Sequence, residues 1–127
     1  MKFVPLLRCA DMARAVEFYT EVLDFEMAPY DTLGSPVIDL LRHGAKMQLC
    51  EFDGTPGIAI TVEVHEVDDL FRSYIERGLD TSAKLNSPVH QAPIDQSWGS
   101  REFYVTDPDG NTLRFRKVSN QENEWQK

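Results

Sequence analysis

Few side chains in this 127-residue chain could do chemistry, and their spacing narrows what they could do. Of the three histidines, His43 falls in an expected turn, His65 at a strand-to-helix junction and His90 in a long loop. None forms a close pair such as His-x-x-x-His, which would set two imidazoles on one face for a metal, so all three read as surface histidines. Cys9 and Cys50 lie inside apolar strand-like runs and read as reduced thiols rather than a disulfide. Cys50 stands two residues after Gln48 and shares its strand face, but no histidine lies near it in sequence to generate a thiolate. Recognition is the better supported chemistry. Trp98 offers a flat face to a planar or cationic group, or packs under its own loop. Arg114 reads either as an anion-binding group or as a structural charge, paired with Glu63 or exposed near a sheet edge.

These groups are carried on a chain written twice. Residues 3–8 read as a strand, Asp11 as a helix N-cap, and Met12, Ala15, Val16, Tyr19, Val22 and Leu23 recur at helical spacing. Three strand-like runs follow near 25–30, 36–42 and 45–52, with His43-Gly44 as the turn between the last two. Asp53-Gly54-Thr55-Pro56-Gly57 breaks the pattern. The order then repeats: a strand over 57–64, a helical stripe of Val67, Leu70, Phe71, Tyr74 and Ile75 closed by Gly78, a short strand near 80–84, and a long loop over 86–97. A hairpin over 101–118 ends the repeat, turning at Asp107-Pro108-Asp109-Gly110-Asn111. There the Asp107 carboxylate caps, Pro108 pre-sets φ and Gly110 takes a positive φ. The tail, 119–127, is polar except for Trp125.

Bulk properties exclude several classes. With 21 acidic against 13 basic residues the formal charge is −8, which disfavours nucleic-acid binding. No 18-residue apolar run exists to span a membrane, and Arg8 and Asp11 come too early for a signal peptide. The expectation is a cytoplasmic protein.

The doubled order resembles the paired βαβββ modules of the glyoxalase / bleomycin-resistance / extradiol-dioxygenase superfamily, the vicinal oxygen chelate proteins. The resemblance runs over about residues 3–117. Its marks are Leu6-Leu7-Arg8 with Asp11, Ala15-Val16-Glu17-Phe18-Tyr19, Leu23-Asp24-Phe25 (Asp24 standing where the family usually has Gly), Trp98-Gly99 and the turn 107–111. It implies an α+β fold in a single domain, 1–118, of two tandem βαβββ modules, 3–52 and 57–118, whose curved sheets form a ligand cleft.

The resemblance also implies where a metal would sit. Aligned on Asp11, the fourth strand, the second helix and the turn glycine, the four ligand positions fall on Val4, Gln48, Ala59 and Arg114. Valine and alanine offer no donor, and a guanidinium repels a divalent cation, so neither a metal nor another cofactor is expected. Strand alternation from these anchors turns Val4, Leu6 and Arg8, then Lys46, Gln48, Cys50 and Phe52, then Gly57, Ala59, Thr61 and Glu63, and finally Thr112, Arg114 and Arg116 into the cleft. Arg8, Gln48, Phe52, Glu63, Trp98 and Arg114 are the expected ligand contacts, and no catalytic residue is expected. The implied function is a metal-free small-molecule binding protein resembling bleomycin-resistance proteins. It would act by sequestration as a homodimer, with Pro5 placed to let the N-terminal strand swap. Arg8, Arg114 and Arg116 count against a basic drug and leave an anionic or neutral metabolite equally open. The alternatives are a glyoxalase-like lyase or isomerase, and a dimerising module without ligand.

Overall fold

The computed structural model describes residues 1–52, 57–82, 92–97 and 99–118. They form two four-stranded mixed sheets with few helices, the α+β arrangement of two modules expected from the repeat. By contacts the chain divides into two compact units, Met1–Ile58 with Asp107–Asn111, and Ala59–Thr106 with the residues from Thr112 on.

In the first unit β1 (Leu6–Cys9), α1 (Met12–Glu17), β2 (Glu26–Met27), β3 (Val37–Arg42) and β4 (Ala45–Glu51) build a sheet of order β1-β4-β3-β2. Asp11 caps α1 as the sequence predicts, its carboxylate accepting the Arg14 amide at 3.1 Å. The helical stripe to Leu23 does not stay α: after Glu17 the chain widens into a π-helical turn, Phe18–Val22, with the Leu23 amide bonded to the Phe18 carbonyl. Asp24 then takes φ +63°, which explains the glycine usual at this position; aspartate is among the few other residues that tolerate it. His43 and Gly44, at φ +46° and +82°, close the two-residue β3–β4 hairpin. Leu7, Ile38, Leu40, Met47 and Leu49 on one sheet face pack with Met12, Ala15 and Tyr19 in the core.

In the second unit β5 (Ala59–Val64), α2 (Val67–Glu76), β6 (Ile94–Asp95), β7 (Arg101–Thr106) and β8 (Thr112–Lys117) give the order β5-β8-β7-β6. Gly78, at φ +98°, ends α2 with the Leu79 amide on the Tyr74 carbonyl, 2.9 Å. The core is aromatic: Phe103 and Phe115 stack at 4.9 Å, and Tyr74 meets both edge-on.

Three expectations need correction. Residues 80–82 are not strand; the second strand of this module is β6, inside the segment expected to be loop. Pairing with Glu102 and Arg101 on the following strand selects Ile94 and Asp95, a choice that a two-residue strand cannot announce in sequence. The first strand begins at Leu6 and the fifth at Ala59, so Val4 and Gly57 lie ahead of the strands that were expected to carry them. Trp98, His90, Trp125 and most of the breaker cluster lie outside the described residues. Among the described residues no helix is long and apolar enough to cross a membrane.

Candidate functional sites on the two sheet faces

Each sheet buries one face and presents the other. In the first unit the register sets Leu6, Gln48 and Asp39 side by side across β1, β4 and β3, with Arg8, Cys50 and Val37 in the next row. Lys46, Leu41 and Glu26 form the row on the other side. The pairing places Arg8, Gln48 and Cys50 on the face that alternation assigned them. Arg8 and Phe52 come together, the guanidinium carbon standing 4.8 Å from the ring centre, and the ring is 57% exposed.

The centre of this face is a group that the sequence reading did not single out. Asp39, only 8% exposed, interrupts an apolar strand. Its carboxylate accepts the Tyr30 hydroxyl and the Gln48 amide (3.0 Å) and pairs with the Lys46 ammonium at 3.3 Å, while its own amide donates to Asp31 at 2.8 Å. The Tyr30 hydroxyl and the Gln48 amide hold Asp39 below the usual carboxylate range against the opposing effect of burial. The same contacts raise Tyr30 and Lys46. Because an ionised carboxylate only accepts, Gln48 must turn its nitrogen to Asp39, and its oxygen is the end left to face elsewhere. The signal in the sequence was a lone aspartate in Val-Ile-Asp-Leu-Leu, a charge that such a strand keeps only with partners.

The thiols differ. Cys9 is buried, and burial followed by the carboxylates of Asp109, Glu51 and Asp107 pushes it up to about 12. Cys50 is half-buried beside Arg8 in register, and both thiols are free.

In the second unit β5, β8 and β7 align Thr61, Arg114 and Tyr104 in one row and Glu63, Arg116 and Glu102 in the next. Arg114 is not the partner of Glu63. Its guanidinium grips Glu102 through Nε at 2.7 Å and through Nη2, and the Tyr104 hydroxyl donates to the same carboxylate at 3.1 Å. Glu63 instead meets Arg116 at 3.5 Å. The reason is the register: Glu102 lies on the strand next to Arg114 and is fully buried, so it needs the bidentate contact more than the exposed Glu63 does. Glu102 lifts the Arg114 guanidinium above its ordinary range; burial raises Tyr104, with Glu102 adding to it. Both arginines on this face are therefore matched by carboxylates.

The positions implied for a metal do not gather donors. Val4 and Ala59 have none, and Arg114 is committed to Glu102. Gln48 Nε2 is committed to Asp39. Among the described residues no three His, Cys, Asp or Glu side chains could together hold a metal ion.

The turn 107–111 is built as the sequence predicts. The Asp107 carboxylate accepts the Asp109 and Asn111 amides, each at 2.8 Å, and Gly110 takes φ +86°. The same carboxylate also accepts the buried Tyr19 hydroxyl at 2.7 Å and the Asn111 side chain at 2.9 Å. Asn111 in turn donates to the Arg8 carbonyl at 2.9 Å and accepts the Ile58 amide at 3.0 Å. This turn thus anchors β1 and α1 within the first unit.

Residues 3–115 match the sequence profile of the Glyoxalase/Bleomycin resistance protein/Dioxygenase superfamily. No curated protein sequence matches significantly. Among solved structures, the chain is similar to a bleomycin resistance determinant encoded on the transposon Tn5, with TM-score 0.79 and 21% identity over 94% of this chain and 98% of that one. It is similar to a bleomycin-binding protein complexed with bleomycin, with TM-score 0.76 and 21% identity over 94% and 99%. It is also similar to a lactoylglutathione lyase from Agrobacterium tumefaciens, with TM-score 0.70 and 15% identity over 92% of each chain.

Proposed function

The chain belongs to the Glyoxalase/Bleomycin resistance protein/Dioxygenase superfamily, and on that premise we propose that it is a small-molecule binding protein that sequesters its ligand on the presented sheet faces without a metal. The observation that carries this reading is the Arg114–Glu102 pair. Where a metal enzyme needs an anionic oxygen donor, this chain has a cation already saturated by its own carboxylate. The residues present do not fit a divalent metal.

The faces suit recognition instead. Leu6, Val37 and Phe52 supply exposed apolar surface, and Gln48, Asp39 and Tyr30 supply placed polar groups, the mixture that ligand sites use. Two of the three arginines that weighed against a basic ligand, Arg114 and Arg116, are compensated by Glu102 and Glu63, so a basic, drug-like ligand of the bleomycin kind regains ground, and with it a role in antibiotic resistance. In this reading the protein works in the cytoplasm as a homodimer. Because β1 pairs with β4 of its own chain from Leu6 on, strand exchange would involve only the residues ahead of that point.

A native mass spectrum of the purified protein, with and without Zn²⁺, Ni²⁺ or Mn²⁺, tests the proposal. A dimer that takes up no stoichiometric metal supports it. One tightly held metal per chain overturns it and favours a glyoxalase-like lyase or isomerase.

A further inference from the structure

A cavity of about 370 Å³ opens at the hairpin end of the first sheet, between the exit of the π-helical turn, β2 and the β3–β4 turn. It lies at the low end of small-molecule sites, which span roughly 300–1,000 Å³. We propose that it binds a small zwitterion, a molecule carrying an ammonium and a carboxylate a few bonds apart. The site stands whether or not the sheet faces sequester a drug.

The argument is one of charge. Two of the lining cations are already held by partners in the protein: Arg42 donates to the Asp24 carboxylate at 3.1 Å, and Lys46 pairs with Asp39 at 3.3 Å. Lys2 and Glu26 also line the cavity, and among the described residues their side chains make no hydrogen bond or ion pair, with each other or with anything else. Opposite charges that share one cavity without pairing are both satisfied by a ligand bearing the complementary pair. A simple anion would meet Glu26 as a like charge, and a simple cation would meet Lys2, so each mono-ion is disfavoured where the zwitterion is not. With Asp39 counted beside Lys46, the cations Lys2, Arg42 and Lys46 are balanced by the carboxylates of Asp24, Glu26 and Asp39, in a chain of net charge −8. An anionic group is therefore tolerated here better than on the average surface.

The walls are set by the backbone. Among the described residues the two non-glycine positions with positive φ are Asp24 and His43, and both line this cavity. These two turns set the course of the backbone at two edges of the cavity.

The test is a titration of the full chain with γ-aminobutyrate, followed by amide NMR and compared with butyrate and butylammonium, which each lack one charge. Saturable shifts confined to Lys2 and residues 24–26 and 41–46 are expected for γ-aminobutyrate, with each mono-ion about tenfold weaker. Glu26→Gln should erase the preference over butyrate, and Lys2→Gln the preference over butylammonium; the dispersion of each spectrum reports that the variant is folded. Lys2 precedes every strand, so its variant carries the test even if Glu26→Gln disturbs β2. No saturable shift, an equal response to all three probes, or shifts elsewhere in the chain would overturn the proposal.

Discussion

Asp39 shows how much one residue can organise. Nearly buried in a strand, it draws Tyr30, Gln48 and Lys46 to a single carboxylate, and each of those partners is thereby oriented on the presented face. Its pKa lies below the ordinary 3.8, so below about pH 4 the folded chain binds fewer protons at this site than the unfolded chain. The stability contributed by that difference is complete above this pH and is lost as pH falls through the folded-state value. Tyr30→Phe removes the largest cause of the depression. Urea denaturation across pH 3–5, a range of about two units around the reference value, should therefore show a shallower acid loss in the variant than in the parent. An unchanged slope would mean that Tyr30 does not hold the charge.

At the scale of elements, the β7–β8 turn and the β7–β8 ladder hold the structure by different means. The turn packs against Gly57: a Cβ there would meet the Gly110 carbonyl oxygen at 2.1 Å and the Asn111 nitrogen at 2.7 Å, backbone atoms that cannot swing aside. Gly57→Ala should cost about 3 kcal/mol by forcing the turn away. Asp107→Ala, which strips the buried Tyr19 hydroxyl and the Asn111 amide of their acceptor, should cost a similar amount, about 3 kcal/mol, in the midpoint of chemical denaturation. In the ladder, Arg114→Met strips the fully buried Glu102 of its bidentate cation and should destabilise by about 3 kcal/mol. The double variant with Glu102→Met should return to within about 1 kcal/mol of the parent, because two apolar side chains need no partner. If the double variant is no more stable than the single one, the pair contributes through something other than charge burial.

At the scale of the whole molecule, the reading as a binder makes Trp98 a ligand contact. Trp98→Ala should weaken ligand binding, followed by titration with bleomycin as the first probe, while leaving the thermal transition in place. A large loss of stability with unchanged affinity would make Trp98 a packing residue instead. The same purified protein should elute as a dimer in size-exclusion chromatography with light scattering if subunits associate as proposed.

The amino-acid pattern by itself determined the elements that depend on near neighbours. The Asp11 cap, the His43-Gly44 hairpin, the Gly78 stop and the Asp107–Asn111 turn each rest on backbone and side-chain preferences within a few residues, and all are where the pattern places them. Strand alternation likewise separated the buried Leu7, Leu49 and Phe115 from Arg8, Gln48 and Arg114, because period two follows from the pleat alone. Only the tertiary structure decided who pairs with whom. It gave Arg114 to Glu102 rather than Glu63, set Tyr30 and Lys46 on Asp39, chose Ile94–Asp95 as the second strand of the second module, and took the Asp107 carboxylate to Tyr19, 88 positions away. Those choices turn on strand register and on which buried charge most needs a partner, energies that arise only once distant segments share one low-dielectric space.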